Sequence, residues 1–365
     1  MRPSRRSASN SVRQSPLWGC LRVRAVLIAI STDRCFQSEL TLISACQKSA
    51  FHVKIKSVLI AASSDQIQTP TAIALGNFDG IHQGHRVVLQ PIIESKQVLS
   101  PGLYPSVVSF SPHPREFFSG GKLQLLTPVS EKAEQLSDLG IEQLILLSFN
   151  REMASLTPQQ FVEQIIVQQL QAKVVSVGSD FRFGYQRQGT GEDLNKIAGE
   201  FGIKVYLNSL HKYQDSSDKT VRVSSSLIRQ ALSEGKMAIA NAMLGRPYSL
   251  SGKVVTGKQL GRTIGFPTAN LDIATEKFLP RYGVYEVDVF LDRTTVKGVM
   301  NIGCRPTIDG ELPTIEIHLL NWSGDLYGRV LKVDLIEFLR PEQKFASVEA
   351  LKQQITQDCQ AVLNK

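Results

Sequence analysis

Two histidines, His82 and His85, stand three apart around Gly84 in the string Leu75-Gly76-Asn77-Phe78-Asp79-Gly80-Ile81-His82-Gln83-Gly84-His85. Imidazoles at that spacing share one face of a helical turn, and a glycine between them lets an anion approach the backbone closely. Ala72 to Leu75 reads as a short buried strand, Gly76 to Gly80 as a turn, and His82 onward as a helix running through Val87, Val88, Ile92 and Ile93. A strand, a turn and a helix N-terminus bring unpaired N–H groups and the positive end of the helix dipole to one point. The chemistry expected there is phosphate handling, with Gly76, Asn77, Phe78, Asp79 and Gly84 as nucleotide- or phosphate-binding residues. An ordinary surface or capping pair of histidines is the bland alternative. A zinc site is the other, but no cysteine or second histidine cluster lies nearby to complete four ligands.

Three further loops follow in order. Ser109-Phe110-Ser111-Pro112-His113-Pro114-Arg115 comes after a strand candidate, Ser106 to Phe110. Val177-Gly178-Ser179-Asp180-Phe181-Arg182-Phe183-Gly184 follows another, Val174 to Val177. Val223-Ser224-Ser225-Ser226-Leu227-Ile228-Arg229 sets three hydroxyls at a helix N-cap with an arginine within two turns, a second place suited to phosphate oxygens. Taken singly each loop is as well explained by structure. Together, after HxGH, they resemble the FMN adenylyltransferase module of the bacterial bifunctional riboflavin kinase/FAD synthetases. In the serine motif that family more often has threonine at 226 and a basic residue at 227; this chain has Ser226 and Leu227.

The C-terminal third resembles the riboflavin kinase module of the same family. The strings are Gly257-Lys258-Gln259-Leu260-Gly261-Arg262, Gly265-Phe266-Pro267-Thr268-Ala269-Asn270, Tyr282-Gly283-Val284-Tyr285, Gly298 to Thr307, Ile315-Glu316-Ile317-His318, Gly324 to Gly328 and Leu339-Arg340-Pro341-Glu342-Gln343-Lys344-Phe345. The most specific is GFPTAN. The likeness covers roughly residues 53 to 365.

The resemblance implies two reactions: riboflavin and ATP to FMN and ADP, then FMN and ATP to FAD and diphosphate. Phosphorylating an alcohol calls for a base, and Glu316 is the candidate, although a strand residue between Ile315 and Ile317 could simply face solvent. Thr268 and Asn270 can aim oxygens at one Mg²⁺ that also bridges ATP phosphates; a plain turn is the alternative. FMN is already an ionised phosphate, so adenylyl transfer needs in-line positioning and charge neutralisation instead. His82, His85 and Arg229 are the catalytic candidates there, with Ser224, Ser225, Ser226 and Asp180 contacting the nucleotide. Gly257, Gly261 and Arg262 are expected at the kinase nucleotide. His113, Arg182, Arg305, Arg340 and Glu342 are expected near flavin. Alternatives are a chain with one live activity, or a flavin-binding regulator without turnover.

The elements that must position these groups differ in kind. Before residue 247 strands alternate with helical patterns, as in a parallel sheet with crossover helices. Afterwards Tyr285 to Phe290, Thr295 to Ile302, Ile315 to Leu320 and Val330 to Phe338 are short β runs suited to a small closed barrel. Val348, Leu351, Ile355, Cys359 and Val362 then step at helical spacing. The expected fold is therefore two domains: an N-terminal α/β nucleotidylyltransferase with a Rossmann-like parallel sheet (53–243), and a C-terminal small β-barrel riboflavin kinase with a C-terminal helix (244–365). The linker is expected around Leu244 to Tyr248.

The chain's 365 residues suffice for two cores. Its net charge of +8 is concentrated at the start: residues 1 to 50 hold seven arginines and one lysine against Asp33 and Glu39, a net +6, which leaves +2 for the rest. Nucleic-acid binding is disfavoured on that ground. Residues 1–52 read as a basic N-terminal extension outside the resemblance, expected to be disordered and unnecessary for activity, with an upstream extension or an organelle-targeting segment as its origin. No run approaches the ~20 apolar residues of a membrane span. With Cys304 and Cys359 as separated thiols in the remainder, a cytoplasmic location is expected. The oligomeric state is left open.

Overall fold

The computed structural model describes residues 58–98, 100–209, 211–214, 220–257, 260–307 and 310–365. The reading of 1–52 as an extension lies outside the described residues.

The first half is a six-stranded parallel sheet in the order β1 (Leu59–Ala61), β4 (Gln143–Ser148), β3 (Tyr104–Ser111), β2 (Thr71–Leu75), β5 (Ala172–Gly178), β6 (Lys204–Asn208). Strand β2 is buried at all five positions, as a central strand covered on both faces requires. From β2 the chain winds outward through β3 and β4, then returns to lay β5 against the other edge of β2. That reversal makes the C-terminal end of β2 the switch point where open α/β sheets bind ligands. The HxGH helix, Gln83–Val98, starts there. A short hairpin, β7 (Lys212–Gln214) with β8 (Thr220–Arg222), precedes the serine motif.

The second half is a closed antiparallel barrel: β9 (Tyr248–Val255), β10 (Ala269–Ile273), β13 (Gly310–Leu319), β12 (Thr294–Thr307), β11 (Gly283–Leu291) and β14 (Val330–Arg340), with β14 returning to β9. Leu250, Val287, Met300, Ile317 and Val333 fill its interior. The terminal helix, Val348–Leu363, buries Cys359 and Val362 against Val284, Val299 and Leu320. Its first apolar position, Val348, is 51% exposed, so the stripe read from sequence is used only towards its end.

The stretch that follows the serine motif is two helices, Ser225–Ser233 and Met237–Leu244, broken at Gly235, whose φ of 75° an L side chain adopts reluctantly. Both pack on the barrel: Ile228, Ala231, Leu232, Met237, Ala240, Met243 and Leu244 belong to the same apolar cluster as its interior. The linker is thus a built element and not a tether.

Candidate functional site

The turn after β2 is tightly bound. Gly76 N–H donates to Val108 O (3.2 Å), Ser109 Oγ donates to Gly76 O (2.9 Å) and Asn77 O (3.1 Å), and the buried Lys132 donates Nζ to Asn77 O at 2.8 Å. Phe78, Gly80 and Ile81 all have positive φ (46°, 90° and 42°). For Phe78 and Ile81 this is a strained backbone, and burial of both side chains to 2% and 1% exposure helps hold it.

Asp79 is the hub. Its carboxylate accepts from Leu126 N–H (3.2 Å), Thr127 N–H (3.0 Å) and the Arg229 guanidinium, and its carbonyl accepts from Ser225 Oγ (2.8 Å). Arg229 also donates to Gln124 O at 3.1 Å. Asp79, expected at the nucleotide, and Arg229, expected to be catalytic, are thus paired with each other.

The histidine rings stack, 3.6 Å between centroids and 14° from parallel, with Phe78 beneath His85 at 5.1 Å. His85 N–H donates to His82 Nδ1 at 3.2 Å, which puts the His82 proton on Nε2. Burial pulls the pKa of His82 down to about 4 against the opposing pull of Asp79, and it holds His85 well below the ordinary value, helped by the charges of His82 and Lys132. Two stacked imidazoles also cannot both carry charge cheaply. Both are neutral near pH 7, and His85 Nδ1 is buried with no partner. A Cβ at Gly84 would fall 3.2 Å from the His82 ring and would press it by a few tenths of an ångström, which glycine avoids.

Around this centre, Ser224 caps its helix by accepting from Leu227 N–H (3.3 Å) and Ser226 is exposed. Leu227 packs against the barrel cluster, which accounts for an apolar residue where the family more often has a basic one. Asp180 pairs with Arg222, and Arg182 is exposed. His113 caps the short helix Pro114–Ser119, accepting from Arg115 N–H at 3.0 Å, and burial lowers its pKa.

The second constellation lies on the outer face of the barrel. Asn270 on β10 is opposite Glu316 on β13, which is opposite Asn301 on β12. Their neighbours Ala269, Leu271, Ile315, Ile317 and Ile302 point inward and are buried. A Cβ at Gly257 would collide with the Asn270 amide, one at Gly261 would lie 3.3 Å from Thr268 Oγ1, and one at Gly303 would collide with the Glu342 carboxylate. Glycine at these three positions therefore lets the Asn270 amide, the turn at Phe266 and the Glu342 carboxylate lie directly against backbone. His318 Nδ1 lies 2.9 Å from Pro267 O and steadies the Pro267-Thr268 turn. Arg262 is exposed, and the side chain of Arg305 lies outside the described residues. Arg340 forks onto Asp358 of the terminal helix (2.8 to 3.1 Å), so its donors serve the fold. Among the described residues no three His, Cys, Asp or Glu side chains form a metal cluster. Neutral Thr and Asn oxygens fit a hard cation that draws its remaining ligands from phosphate.

The family model for FAD synthetase matches residues 64–227, and that for riboflavin kinase matches residues 244–365. The bifunctional riboflavin kinase/FMN adenylyltransferase of Escherichia coli K12 is 40% identical over 293 residues, 80% of this chain and 91% of that protein. The chain belongs to the bifunctional riboflavin kinase/FMN adenylyltransferase family. The Bacillus subtilis member is 35% identical over 305 residues, covering 81% and 92% of the two chains. A crystal structure described as a macrolide-efflux protein from Streptococcus pneumoniae is 30% identical with a TM-score of 0.74, covering 84% of this chain and 99% of that one. Among the described residues here, no helix is long and apolar enough to cross a membrane.

In this member of the riboflavin kinase/FMN adenylyltransferase family, the linker helices fall mostly between the two matched stretches. Several groups around the histidine loop carried no sequence signal. Lys132 reads as one more lysine of an amphipathic helix, yet it is 7% exposed beneath Asn77. Thr127, Gln124 and Arg222 hold Gly80, Arg229 and Asp180 from distant segments. His211 meets Gln83 Oε1 at 2.9 Å. Asn301 lay within the Gly298 to Thr307 string without being singled out, and strand pairing is what sets it opposite Glu316.

Proposed function

We propose that the chain makes FMN from riboflavin and ATP, releasing ADP, and then FAD from FMN and ATP, releasing diphosphate, with 53–243 carrying the adenylyl site and 244–365 the kinase site. The observation that carries the reading is the separate gathering of both sets of polar groups, the stacked histidines at the sheet's switch point and the Asn270–Glu316 pair on the barrel.

In adenylyl transfer an FMN phosphate oxygen attacks the α-phosphorus of ATP and diphosphate leaves. The nucleophile needs no base. His82 and His85, held neutral, offer N–H donors to charge developing on the α-phosphate, which is where fixed donors lower a barrier most. The turn residues Gly76 to Phe78, with Gly84, shape the phosphate pocket, and Ser224, Ser225 and Ser226 supply further donors. Asp79 and Arg229 set the loop's position, while Asp180, Arg182 and His113 are the outer nucleotide and flavin contacts.

In the kinase step Glu316 takes the proton of the riboflavin 5′-hydroxyl as that oxygen attacks the γ-phosphorus. Thr268 and Asn270 would hold Mg²⁺, which when bound neutralises phosphate charge. Gly257, Gly261 and Arg262 lie along the ATP, and Glu342 and Arg305 along the flavin; Arg340 acts through its grip on the terminal helix. A cytoplasmic location belongs to the same proposal, supported by Cys304 and Cys359, the cysteines of the described residues, carrying thiols and forming no disulfide.

Chromatography of products formed by purified full-length protein tests the reading. His85→Ala should lower FAD formation by about two to four orders of magnitude and leave FMN formation nearly unchanged. Equal loss of both products would refute the division of labour.

A further inference from the structure

Arg246 lies within the stretch that matches riboflavin kinase, yet its guanidinium reaches into the other half. Nη2 donates to Gly80 O at 2.9 Å and to Gln135 Oε1. Gly80 comes two residues before His82, and its N–H is already fixed by Thr127 Oγ1 at 2.9 Å. Both backbone polar groups of Gly80 are therefore held, one from each half of the chain. On the other side of His82, Gln83 Nε2 donates to Ala242 O at 2.7 Å, and a Cβ at Gly245 would sit 3.1 Å from Gln83 Cγ. Residues 242 to 246 thus grip the histidine loop on both flanks of His82.

As a source of stability Arg246 is a poor choice. Its Nη1 is buried without a partner, and so is Nε of the neighbouring Arg86. Burial, with the like charge of Arg86, pulls its pKa down to about 10. An apolar side chain of similar length would avoid the orphaned donor and the repulsion. What it could not do is fix the Gly80 carbonyl.

We propose that Arg246 is a positioning residue for adenylyl transfer: its guanidinium, contributed by the kinase half, fixes the Gly80 carbonyl and thereby sets His82 and His85 against the α-phosphate of ATP. The inference rests on HxGH being the adenylyl site. It implies that the kinase half completes the adenylyltransferase in addition to supplying its substrate.

The test uses full-length Arg246→Met, Arg246→Lys and His85→Ala, measuring kcat and KM for FAD formation from FMN and ATP and for FMN formation from riboflavin and ATP on the same preparations. Arg246→Met should lower kcat for FAD formation by about 10- to 100-fold, as expected for a loop displaced by an ångström or so, with KM for ATP and FMN and the kinase kcat within about twofold. Arg246→Lys keeps a donor for Gly80 O and should recover part of the loss. An unchanged FAD kcat in Arg246→Met overturns the proposal. So does parallel loss of both activities, which would make Arg246 a device of general stability, or a lysine variant no better than methionine. If His85→Ala retains FAD formation, the assignment of the site itself has failed; if His85→Ala is inactive while Arg246→Met is not, only the role of Arg246 has.

Discussion

Replacing Asp79 by asparagine keeps the side-chain volume and removes the charge at the centre of the histidine loop. Both carboxylate oxygens accept, from Leu126 N–H and Arg229 on one and from Thr127 N–H on the other. An amide accepts at one position only and turns an NH₂ towards a donor at the other. Hydrogen bonds to a charged group contribute roughly 1.5–3 kcal/mol, and breaking a buried ion pair costs roughly 3–5 kcal/mol. The Arg229 side chain is 27% exposed, so water recovers part of its solvation. The lower figure, about 3 kcal/mol, is therefore the working value. At roughly 2–4 °C per kcal/mol that lowers the melting transition of the adenylyl half by about 6–12 °C. FAD formation at a temperature below that transition should fall by about 100-fold in kcat, because the loop loses its anchor to Leu126 and Thr127. Calorimetry and product chromatography read the two effects, with FMN formation as the internal control. A melting transition within about 2 °C of the parent together with intact FAD formation would refute the hub assignment. A rise in the KM for ATP with kcat unchanged would instead make Asp79 a direct nucleotide contact.

Glu316→Gln should abolish most riboflavin phosphorylation while FMN supplied directly is still converted to FAD; a full kinase rate with chemistry shown to be limiting would remove Glu316 as the base. Asn270→Ala should raise the Mg²⁺ concentration needed for half-maximal kinase activity and leave the Mg²⁺ dependence of FAD formation alone, as a titration of both activities would show. Because His82 is neutral down to about pH 4 in the folded protein, kcat for FAD formation should show no loss centred near 6.5. The depressed pKa has a second consequence: below about 6.5 the unfolded chain takes up protons that the folded state refuses, so stability falls progressively towards pH 4, which denaturant titrations across that window would detect. A fragment 224–365, which retains the helix pair on the barrel, should phosphorylate riboflavin and melt higher than 245–365, which leaves that apolar surface bare; equal melting temperatures would contradict the packing of Ile228, Leu232 and Met243.

Period and punctuation made many strands readable: Thr71–Leu75 and four of the barrel strands, β11 to β14, overlap the runs read from sequence between Gly, Pro or Asp, whereas β9 and β10 were not singled out. HxGH was legible for the same reason, as a motif of adjacent residues in a recognisable strand-turn-helix context. The order of strands was not legible in that way, because nothing local says that β5 lies beside β2. Contacts made at long separation were likewise hidden. Lys132 to Asn77, Thr127 to Gly80 and Arg246 to Gly80 join segments 47 to 166 residues apart or bury a charge that local pattern assigns to solvent. The partner of the helix pair was hidden as well, because an apolar stripe announces burial without saying against which half. Leu227, a departure from the family's basic residue, packs against the barrel cluster.

The junction also bears on how such chains can be recombined. Lys277, on the barrel side, is 2% exposed and donates to Leu126 O at 2.8 Å and to the buried Glu131, while Leu125 N–H and C=O pair with the backbone of Glu276 and Phe278. Neither charge can be exchanged alone without stranding its partner out of water. A crossover placed at residue 244 would import a foreign barrel whose residue 277 must by chance suit Glu131. Moving the crossover to residue 224 keeps the helix pair with its barrel but leaves that pairing uncorrected, so hybrids should be rescued by grafting position 131 together with the incoming barrel. The two catalysts are thereby tied as inheritance units, each constrained to accept changes in step with the other.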